Sequence, residues 1–382
     1  MSRIFHNRSP AENGVLGRET ADDAAVLEKS HRDEVNERTE GTGAAGLRAP
    51  SSWELIGEAI FGARRPLDCV QVEVTTRCPG RCSYCPHTTD RERWLSHDMD
   101  MATYSRIWPL MRRSGRVHLQ GWGEPLLNPA FFDMALTARR AGCRVSTTTC
   151  GVPMDPDLAR RIVASGIDVV AFSLAGTDAA SNASRRGVDF DRVCEAVTTL
   201  QAARGRRRGA HLRIHLAYLM LASEMEAVAG LPALMQRLGV HAAIVSTLDY
   251  VTDPALLPEA FTPDEPARLA RAADLLASAG TEARRLGLGF HWELPGRAAS
   301  GTTCRENIGR SLFISADGWV SPCVFVNVPT GDTDPMRRVF GNVRDVDPTV
   351  IWDSADFRHF RERLAAGDPD LPCRSCPKRF SA

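Results

Sequence analysis

Three cysteines stand close together in the stretch VEVTTRCPGRCSYCPHT, at Cys78, Cys82 and Cys85. Structural zinc usually takes four ligands from two Cys-x2–4-Cys pairs on separate turns. A cubane iron–sulfur cluster suits three thiolates of one loop better, because three irons each take one cysteine and the fourth iron stays open. An open iron can bind the amino and carboxylate groups of a small molecule. The spacing therefore favours a cluster with an exchangeable fourth ligand.

A second group of cysteines lies towards the C-terminus, at Cys304, Cys323, Cys373 and Cys376. From spacing alone, this group is compatible with a four-thiolate zinc site as well as with an iron–sulfur cluster. The chain has 11 cysteines but no apolar signal segment, so we expect mostly reduced thiols and a cytoplasmic location. Seven of the cysteines fall into the two groups, which favours metal binding over disulfides.

Length, charge and composition argue against nucleic-acid binding and against a membrane span. The chain has 382 residues, a formal net charge of zero and 43% apolar residues, which is enough for one large domain and a smaller one. A neutral balance offers no electrostatic surface for nucleic acid or an anionic membrane, and we interpret the Arg-rich stretch 202–211 as a solvated loop. No run of about 18 apolar residues is present, so we predict no membrane span.

Alternating strands and helices must position these cysteines. Between residues 69 and 248 the pattern repeats about every 30 residues, the length of a βα unit. We therefore predict an α/β fold, a parallel sheet covered by helices, with its chemistry at the carboxyl ends of the strands. The loop of Cys78 follows the first strand and should lie at that edge. The six predicted strands are 69–75, 116–121, 143–149, 168–174, 212–220 and 241–248.

The cysteine loop, with aromatic Tyr84 before its last cysteine, resembles the signature loop of radical S-adenosylmethionine (SAM) enzymes. The six βα units agree with the partial (β/α)6 barrel of that family, and the resemblance covers residues 66–376. It implies a barrel domain at 51–290 and a small α+β domain at 291–382. Residues 1–50 lack a core-forming pattern, and we expect a mobile leader too short for a separate peptide-binding domain.

Further motifs resemble the SAM site of this family. GWGEP, at 121–125, resembles a Gly-Gly-Glu-Pro motif whose backbone and glutamate hold the methionine amino group. TTCG, at 148–151, and FSLAG, at 172–176, resemble motifs that follow the third and fourth strands. The resemblance implies that SAM is bound by Tyr84, Gly121, Gly123, Glu124, Thr148 and Ser173.

Two residues depart from the family pattern. Trp122 replaces a glycine and adds an indole at the cofactor rim. Cys150 replaces an asparagine at the carboxyl end of a strand, where substrate should lie. Two interpretations of Cys150 stay open: a buried small apolar residue, or a catalytic residue that donates a hydrogen atom or proton to the substrate.

In this context the second cysteine group resembles the Twitch or SPASM extension of radical SAM enzymes. The stretches 313–323 and 340–364 resemble its hairpin and helix. A full SPASM domain has further cysteines, including a Cys-x2-Cys-x3-Cys run, whereas this sequence ends CRSCPKRFSA. We therefore expect a Twitch-like domain with one auxiliary [4Fe–4S] cluster, ligated by all four cysteines of the group. Full ligation leaves no iron open to substrate, which favours electron transfer.

The resemblance implies reductive cleavage of SAM to a 5′-deoxyadenosyl radical, which takes a hydrogen atom from the substrate. An auxiliary cluster suits a two-electron oxidation, and the layout is similar to that of 2-deoxy-scyllo-inosamine dehydrogenases. We therefore expect a small-molecule substrate, such as a sugar, cyclitol or cofactor precursor, and a flavodoxin- or ferredoxin-type reductant. Two alternatives stay open: a maturase that modifies a ribosomally made peptide or a protein, and a non-catalytic iron–sulfur or zinc protein.

Overall fold

The structure is a computed structural model. It describes residues 65–207, 209–249, 251, 253–295, 298–299, 304–329, 334 and 336–381. The predicted leader at 1–50 lies outside the described residues. Residues 65–382 belong to one compact unit.

All six predicted strands are confirmed, and each pairs in parallel with the next along the chain. Apolar residues and threonine make up most of these strands, as expected for strands that pack against helices. Their bounds are Cys69–Val72 (β1), Arg116–Leu119 (β2), Arg144–Thr149 (β3), Val169–Leu174 (β4), Arg213–Met220 (β5) and Ala242–Thr247 (β6).

Helices connect the strands and cover the sheet. Aspartates cap two of these helices: Asp155 accepts a hydrogen bond from the N–H of Leu158, and Asp189 accepts one from the N–H of Arg192. The helices are Pro86–Thr89 (α1), Met101–Ser105 (α2), Trp108–Arg112 (α3), Phe131–Arg140 (α4), Pro156–Ser165 (α5), Phe190–Gly205 (α6), Leu231–Leu238 (α7), Pro266–Arg285 (α8), Pro348–Trp352 (α9) and Ala355–Ala365 (α10). Together these elements form an α/β partial barrel.

The sheet extends beyond the six predicted strands at both edges. Gly289–Trp292 (β7) adds a seventh parallel strand next to β6. At the other edge, Ser311–Ile314 (β9) pairs in parallel with β1, and Trp319–Ser321 (β10) and Gly341–Asn342 (β11) continue the sheet. Ala298–Ala299 (β8) and Phe380–Ser381 (β12) form a separate pair. The C-terminal region therefore continues the sheet of the barrel directly beside the strand that leads to Cys78.

Alternation along the strands separates the core from the cavity. In β5, Ile214, Leu216 and Tyr218 are fully buried, whereas Ala217 and Leu219 line a cavity at the barrel mouth. This follows from the two-residue period of a strand, which points successive side chains to opposite faces. In the part of the chain that the structure describes, no helix is long and apolar enough to cross a membrane.

Candidate active site at the barrel mouth

The cysteine loop follows β1 and turns three thiols towards one another. A Cβ atom added to Gly80 would lie 3.5 Å from the sulfur of Cys78 and 3.7 Å from that of Cys82. Cys85 precedes the first residue of α1, and the charges of Cys82 and Cys78 act on its thiol. Burial raises the pKa of Cys78 to about 11 and that of Cys85 to about 12. Thiolates here need a positive partner at neutral pH, which the irons of a cluster supply.

A cavity of about 330 Å³ opens beside this loop, at the carboxyl ends of the barrel strands. Of the residues that the sequence motifs indicate, Tyr84, Thr148 and Ser173 line this cavity, together with Trp122. They come from the cysteine loop, β3, β4 and the loop after β2. The fold thus brings together residues that are far apart in the sequence, as the parallel topology predicts.

Glu124 is buried close to the cysteine loop. Its Oε1 accepts hydrogen bonds from the Thr149 hydroxyl (2.8 Å) and the Leu126 N–H (3.2 Å), and its Oε2 accepts one from the Cys150 N–H (2.6 Å). Burial raises its pKa, and its charge acts on the Cys78 thiol. Among the described residues, no cation forms an ion pair with this carboxylate. The three donors therefore hold the carboxylate in place. Glu124 is not among the residues that line the barrel-mouth cavity, and its role towards the ammonium group of SAM stays a prediction.

The two glycines of GWGEP are required by close packing. A Cβ atom on Gly121 would lie 2.4 Å from Cβ and Cγ of Glu73, and one on Gly123 would lie 2.1 Å from the Thr75 carbonyl oxygen. The loop therefore lies directly against the chain that follows β1. This contact fixes where Glu124 stands relative to the cysteine loop.

Cys150 is not part of the cavity lining. It is 7% exposed and belongs to the apolar core. Burial raises the pKa of its thiol, and the neighbouring Glu124 carboxylate raises it further. This position suits a small buried residue better than a donor to substrate. The catalytic role stays a prediction.

Arg185 is a cavity residue that the sequence analysis did not single out. It is 7% exposed and lines the barrel-mouth cavity. Its Nη1 donates to the Tyr84 hydroxyl (3.0 Å), while its Nε has no hydrogen-bond partner. Among the described residues, no carboxylate forms an ion pair with it. A buried guanidinium of this kind can bind an anionic group. In the sequence, Arg185 is marked only by its position at the start of the stretch RRGVDFDRV (185–193), which follows β4.

The four C-terminal cysteines line a second cavity, of about 340 Å³. They come from three segments: one before β9, one after β10 and one near the C-terminus. Burial raises the pKa of Cys373 to about 12 and that of Cys376 to about 11. Burial also raises the pKa of Cys323, and the charges of Cys304 and Cys373 raise it further. The four thiols thus line one cavity, and their role as ligands of one auxiliary cluster stays a prediction.

A common wall separates the two cavities, because Asp249, Phe325 and Lys378 line both. The Lys378 ammonium lies 3.1 Å from Oδ2 of Asp249 and 2.8 Å from Oε1 of Glu306. It also lies 5.1 Å from the centre of the Phe325 ring. The edge of Phe325 meets Trp122 at 6.0 Å between ring centres. The indole that replaces a glycine in GWGEP therefore contacts the C-terminal domain.

The donor set of both sites fits iron–sulfur clusters. All eleven cysteines are free thiols. Within the described residues, no three His, Cys, Asp or Glu side chains are arranged to hold a single metal ion. Cysteine thiolates are the ligands that [4Fe–4S] clusters take, and both groups consist of cysteines alone.

Comparison with known families agrees with this geometry. Residues 72–221 match the Radical SAM superfamily, and residues 304–377 match SPASM, an iron–sulfur cluster-binding domain. These matches confirm the expected cofactors: SAM, a SAM-binding [4Fe–4S] cluster and an auxiliary iron–sulfur cluster. A non-catalytic protein is not favoured, because the first family consists of SAM-dependent enzymes.

Two curated relatives align with most of this chain. A PqqA peptide cyclase of Streptomyces rochei is 25% identical in an alignment of 340 residues, which covers 81% of this chain and 81% of the relative. A PqqA peptide cyclase of Gluconobacter oxydans is 25% identical over 323 residues, 80% of this chain and 82% of the relative.

Solved structures share the fold at low sequence identity. Streptococcus suis SuiB bound to S-adenosylmethionine is 14% identical, with a TM-score of 0.63 over 94% of this chain and 88% of SuiB. The enzyme anSMEcpe with bound AdoMet is 15% identical, with a TM-score of 0.58 over 80% of this chain and 90% of anSMEcpe. With its barrel, its cysteine loop and its second cysteine cavity, the chain carries a Radical SAM domain, matched at residues 72–221, and a C-terminal SPASM domain, matched at residues 304–377.

Proposed function

We propose that the chain is a radical SAM enzyme that oxidises a polypeptide substrate. The observation that carries this proposal is the alignment with PqqA peptide cyclases over about four fifths of both chains. The relatives favour the peptide alternative over the small-molecule substrate that the sequence analysis preferred. The small-molecule interpretation rested on the resemblance of the layout to 2-deoxy-scyllo-inosamine dehydrogenases and on the lack of an identifiable peptide-binding domain.

The residues of the barrel mouth have separate roles in this proposal. Cys78, Cys82 and Cys85 hold the first cluster, and Glu124 accepts a hydrogen bond from the ammonium group of SAM. Arg185 pairs with a carboxylate, and Tyr84 orients its guanidinium. When bound and reduced, the cluster and SAM supply the radical that takes a hydrogen atom from the substrate. Trp122 and Phe325 exclude water from the side that faces the C-terminal domain.

An iron–sulfur cluster in the second cavity would accept the remaining electron of the substrate. A substrate that has lost a hydrogen atom must lose one more proton and one electron to give a product oxidised by two electrons. Cys304, Cys323, Cys373 and Cys376 would hold a cluster that can accept this electron, and Asp249 and Lys378 line both this cavity and the barrel-mouth cavity. A shared wall keeps the transfer distance short.

Any short peptide found to be encoded beside this gene is a candidate substrate for the test. Each is incubated anaerobically with the reconstituted enzyme, SAM and a reductant, and the product is examined by mass spectrometry. We expect a peptide lighter by two hydrogen atoms, with one 5′-deoxyadenosine formed per turnover. A peptide that stays unchanged while a sugar or cyclitol from the same gene neighbourhood is oxidised would overturn the peptide proposal and restore the small-molecule one.

A further inference from the structure

A second buried carboxylate lies beside the SAM site and has no role in the chemistry above. Glu73 follows β1 directly and is 2% exposed. Its N–H donates to the carbonyl oxygen of Ile314 (2.9 Å), at the end of β9. Glu73 therefore stands where the barrel and the C-terminal hairpin share one sheet.

The carboxylate joins two loops that are distant in sequence. Its Oε1 accepts a hydrogen bond from the N–H of Trp122 (2.8 Å), and its Oε2 accepts one from the N–H of Ala316 (3.2 Å). The Gly123 N–H also stabilises its charge. The first and third donors belong to GWGEP, and the second belongs to the turn between β9 and β10. One side chain thus connects the loop of Glu124 to the auxiliary domain.

Packing makes this connection stiff. Gly121 lies so close that any Cβ atom there would overlap the Glu73 side chain. The GWGEP loop therefore rests on Glu73 without an intervening layer. A shift of the carboxylate displaces the loop, because interiors packed at this density do not yield freely.

The charge of Glu73 suits its surroundings only in part. Its partners are N–H donors, and an ionised carboxylate is purely an acceptor, so the hydrogen-bonding types match. No cation among the described residues forms an ion pair with it, whereas Asp317 on the hairpin turn faces it as a like charge. The GWGEP loop offers it only backbone N–H groups, since Glu124 turns to Thr149 and Cys150. Burial, aided by Asp317, raises the pKa of Glu73 to about 7.

We propose that Glu73 is a positioning residue for SAM, whose carboxylate holds the Trp122–Glu124 segment in its binding conformation and ties it to the auxiliary hairpin. Ionised Glu73 satisfies all its N–H partners. When Glu73 is protonated, one of its oxygens carries a hydrogen and faces a backbone N–H, so that two donors face each other. At least one hydrogen bond is then lost. SAM affinity therefore falls as the pH drops through the pKa of Glu73.

The first test uses Glu73→Gln in the full-length, reconstituted enzyme. SAM affinity is measured by equilibrium titration between about pH 6 and about pH 8, with the electron paramagnetic resonance signal of the reduced cluster as readout. At the upper pH we expect affinity to fall about tenfold, the effect of one lost charge-assisted hydrogen bond. The wild-type pH dependence centred near 7 should disappear. Unchanged affinity with an unchanged pH profile overturns the proposal.

A second variant keeps the test decisive if Glu73→Gln folds poorly. Asp317→Asn leaves every contact of Glu73 in place, and its amide oxygen can still accept from the Ser315 hydroxyl. Removing the like charge lowers the pKa of Glu73, so the midpoint of SAM affinity should move to lower pH. A midpoint that does not move contradicts the proposal.

Hydrogen exchange gives a readout that needs no turnover. In Glu73→Gln we expect faster exchange at the Trp122 and Ala316 amides together, because both lose the same acceptor. Faster exchange at Ala316 alone, with SAM affinity intact, would show that Glu73 only braces the hairpin, and the positioning role would be wrong.

Discussion

The Lys378 ammonium lies 3.1 Å from the Asp249 carboxylate, in the wall between the two cysteine cavities. The Asp249 side chain is 5% exposed and that of Lys378 is 14% exposed, so water screens this pair poorly. Asp249 follows β6 of the barrel, whereas Lys378 stands two residues after Cys376. The ion pair therefore fastens the cysteine-bearing C-terminus to the barrel mouth.

Replacing Lys378 by Met should destabilise the protein strongly. Asp249 would be left as a buried carboxylate and Glu306 as a half-buried one, both without their cation, a change that costs about 3 kcal/mol or more. Denaturant unfolding under anaerobic conditions measures this loss. Lys378→Arg is the matched control, because it keeps the charge and should retain most of the stability. Equal stability of the Met variant and the wild type would show that the pair contributes nothing.

The cysteine loop should hold one of two clusters. Changing Cys78, Cys82 and Cys85 together to Ala should remove about half of the iron, from about eight irons per chain after anaerobic reconstitution, and should abolish SAM cleavage. Iron analysis and 5′-deoxyadenosine formation check both expectations. Retention of full iron and full cleavage would refute the assignment of this loop.

Glu124→Gln should weaken SAM binding by about tenfold and leave both clusters in place. Gln keeps the shape of the side chain and can still accept from the Thr149 hydroxyl, but it loses the charge that we propose pairs with the SAM ammonium. Equilibrium titration with SAM gives the measurement. Glu195→Gln on the exposed face of α6 serves as the control, since that side chain is 68% exposed. An affinity equal to that of the control would remove Glu124 from the SAM site.

Replacing Cys373 and Cys376 by Ala tests the auxiliary site. Without these thiolates the second cluster should be lost, and the substrate would have no nearby electron acceptor. SAM cleavage should continue while oxidised product disappears. Circular dichroism must accompany the assay, because the four thiolates also hold the small domain together. A well-folded variant that forms product at the normal rate would make the second cluster structural and favour a redox-neutral reaction.

Glu73 should make stability depend on pH. Its pKa rises on folding from about 4.5 to about 7, so the folded chain binds the extra proton between these values. The contribution of the neutral group is complete below the lower value and is lost as the pH rises through the upper one. Relative to Glu73→Gln, the wild type should lose roughly 2 to 3 kcal/mol of unfolding free energy between about pH 5 and about pH 8. A constant difference would mean that Glu73 does not titrate in this range.

Local signals in the sequence were sufficient for the six central strands and for the two cysteine groups. The spacing of Cys78, Cys82 and Cys85 within one loop is enough to indicate a cluster-binding site. The two-residue period of a strand is likewise visible over a few residues. The parallel order then places the loops after β1 to β4 at one edge. These inferences need only neighbouring residues and a rule of topology.

The tertiary structure alone decided which distant residues meet. β7 has only four residues and a weak apolar pattern, and β9 joins β1 across more than half of the chain. Glu73, Arg185 and Lys378 acquire their places through contacts with Ala316, Tyr84 and Asp249, none of which is near in sequence. Burial determines which partners these charged groups need, because an ionised side chain away from water is stable only with hydrogen-bond or ion-pair partners. A sequence shows the charge, but only the packed chain shows its partners.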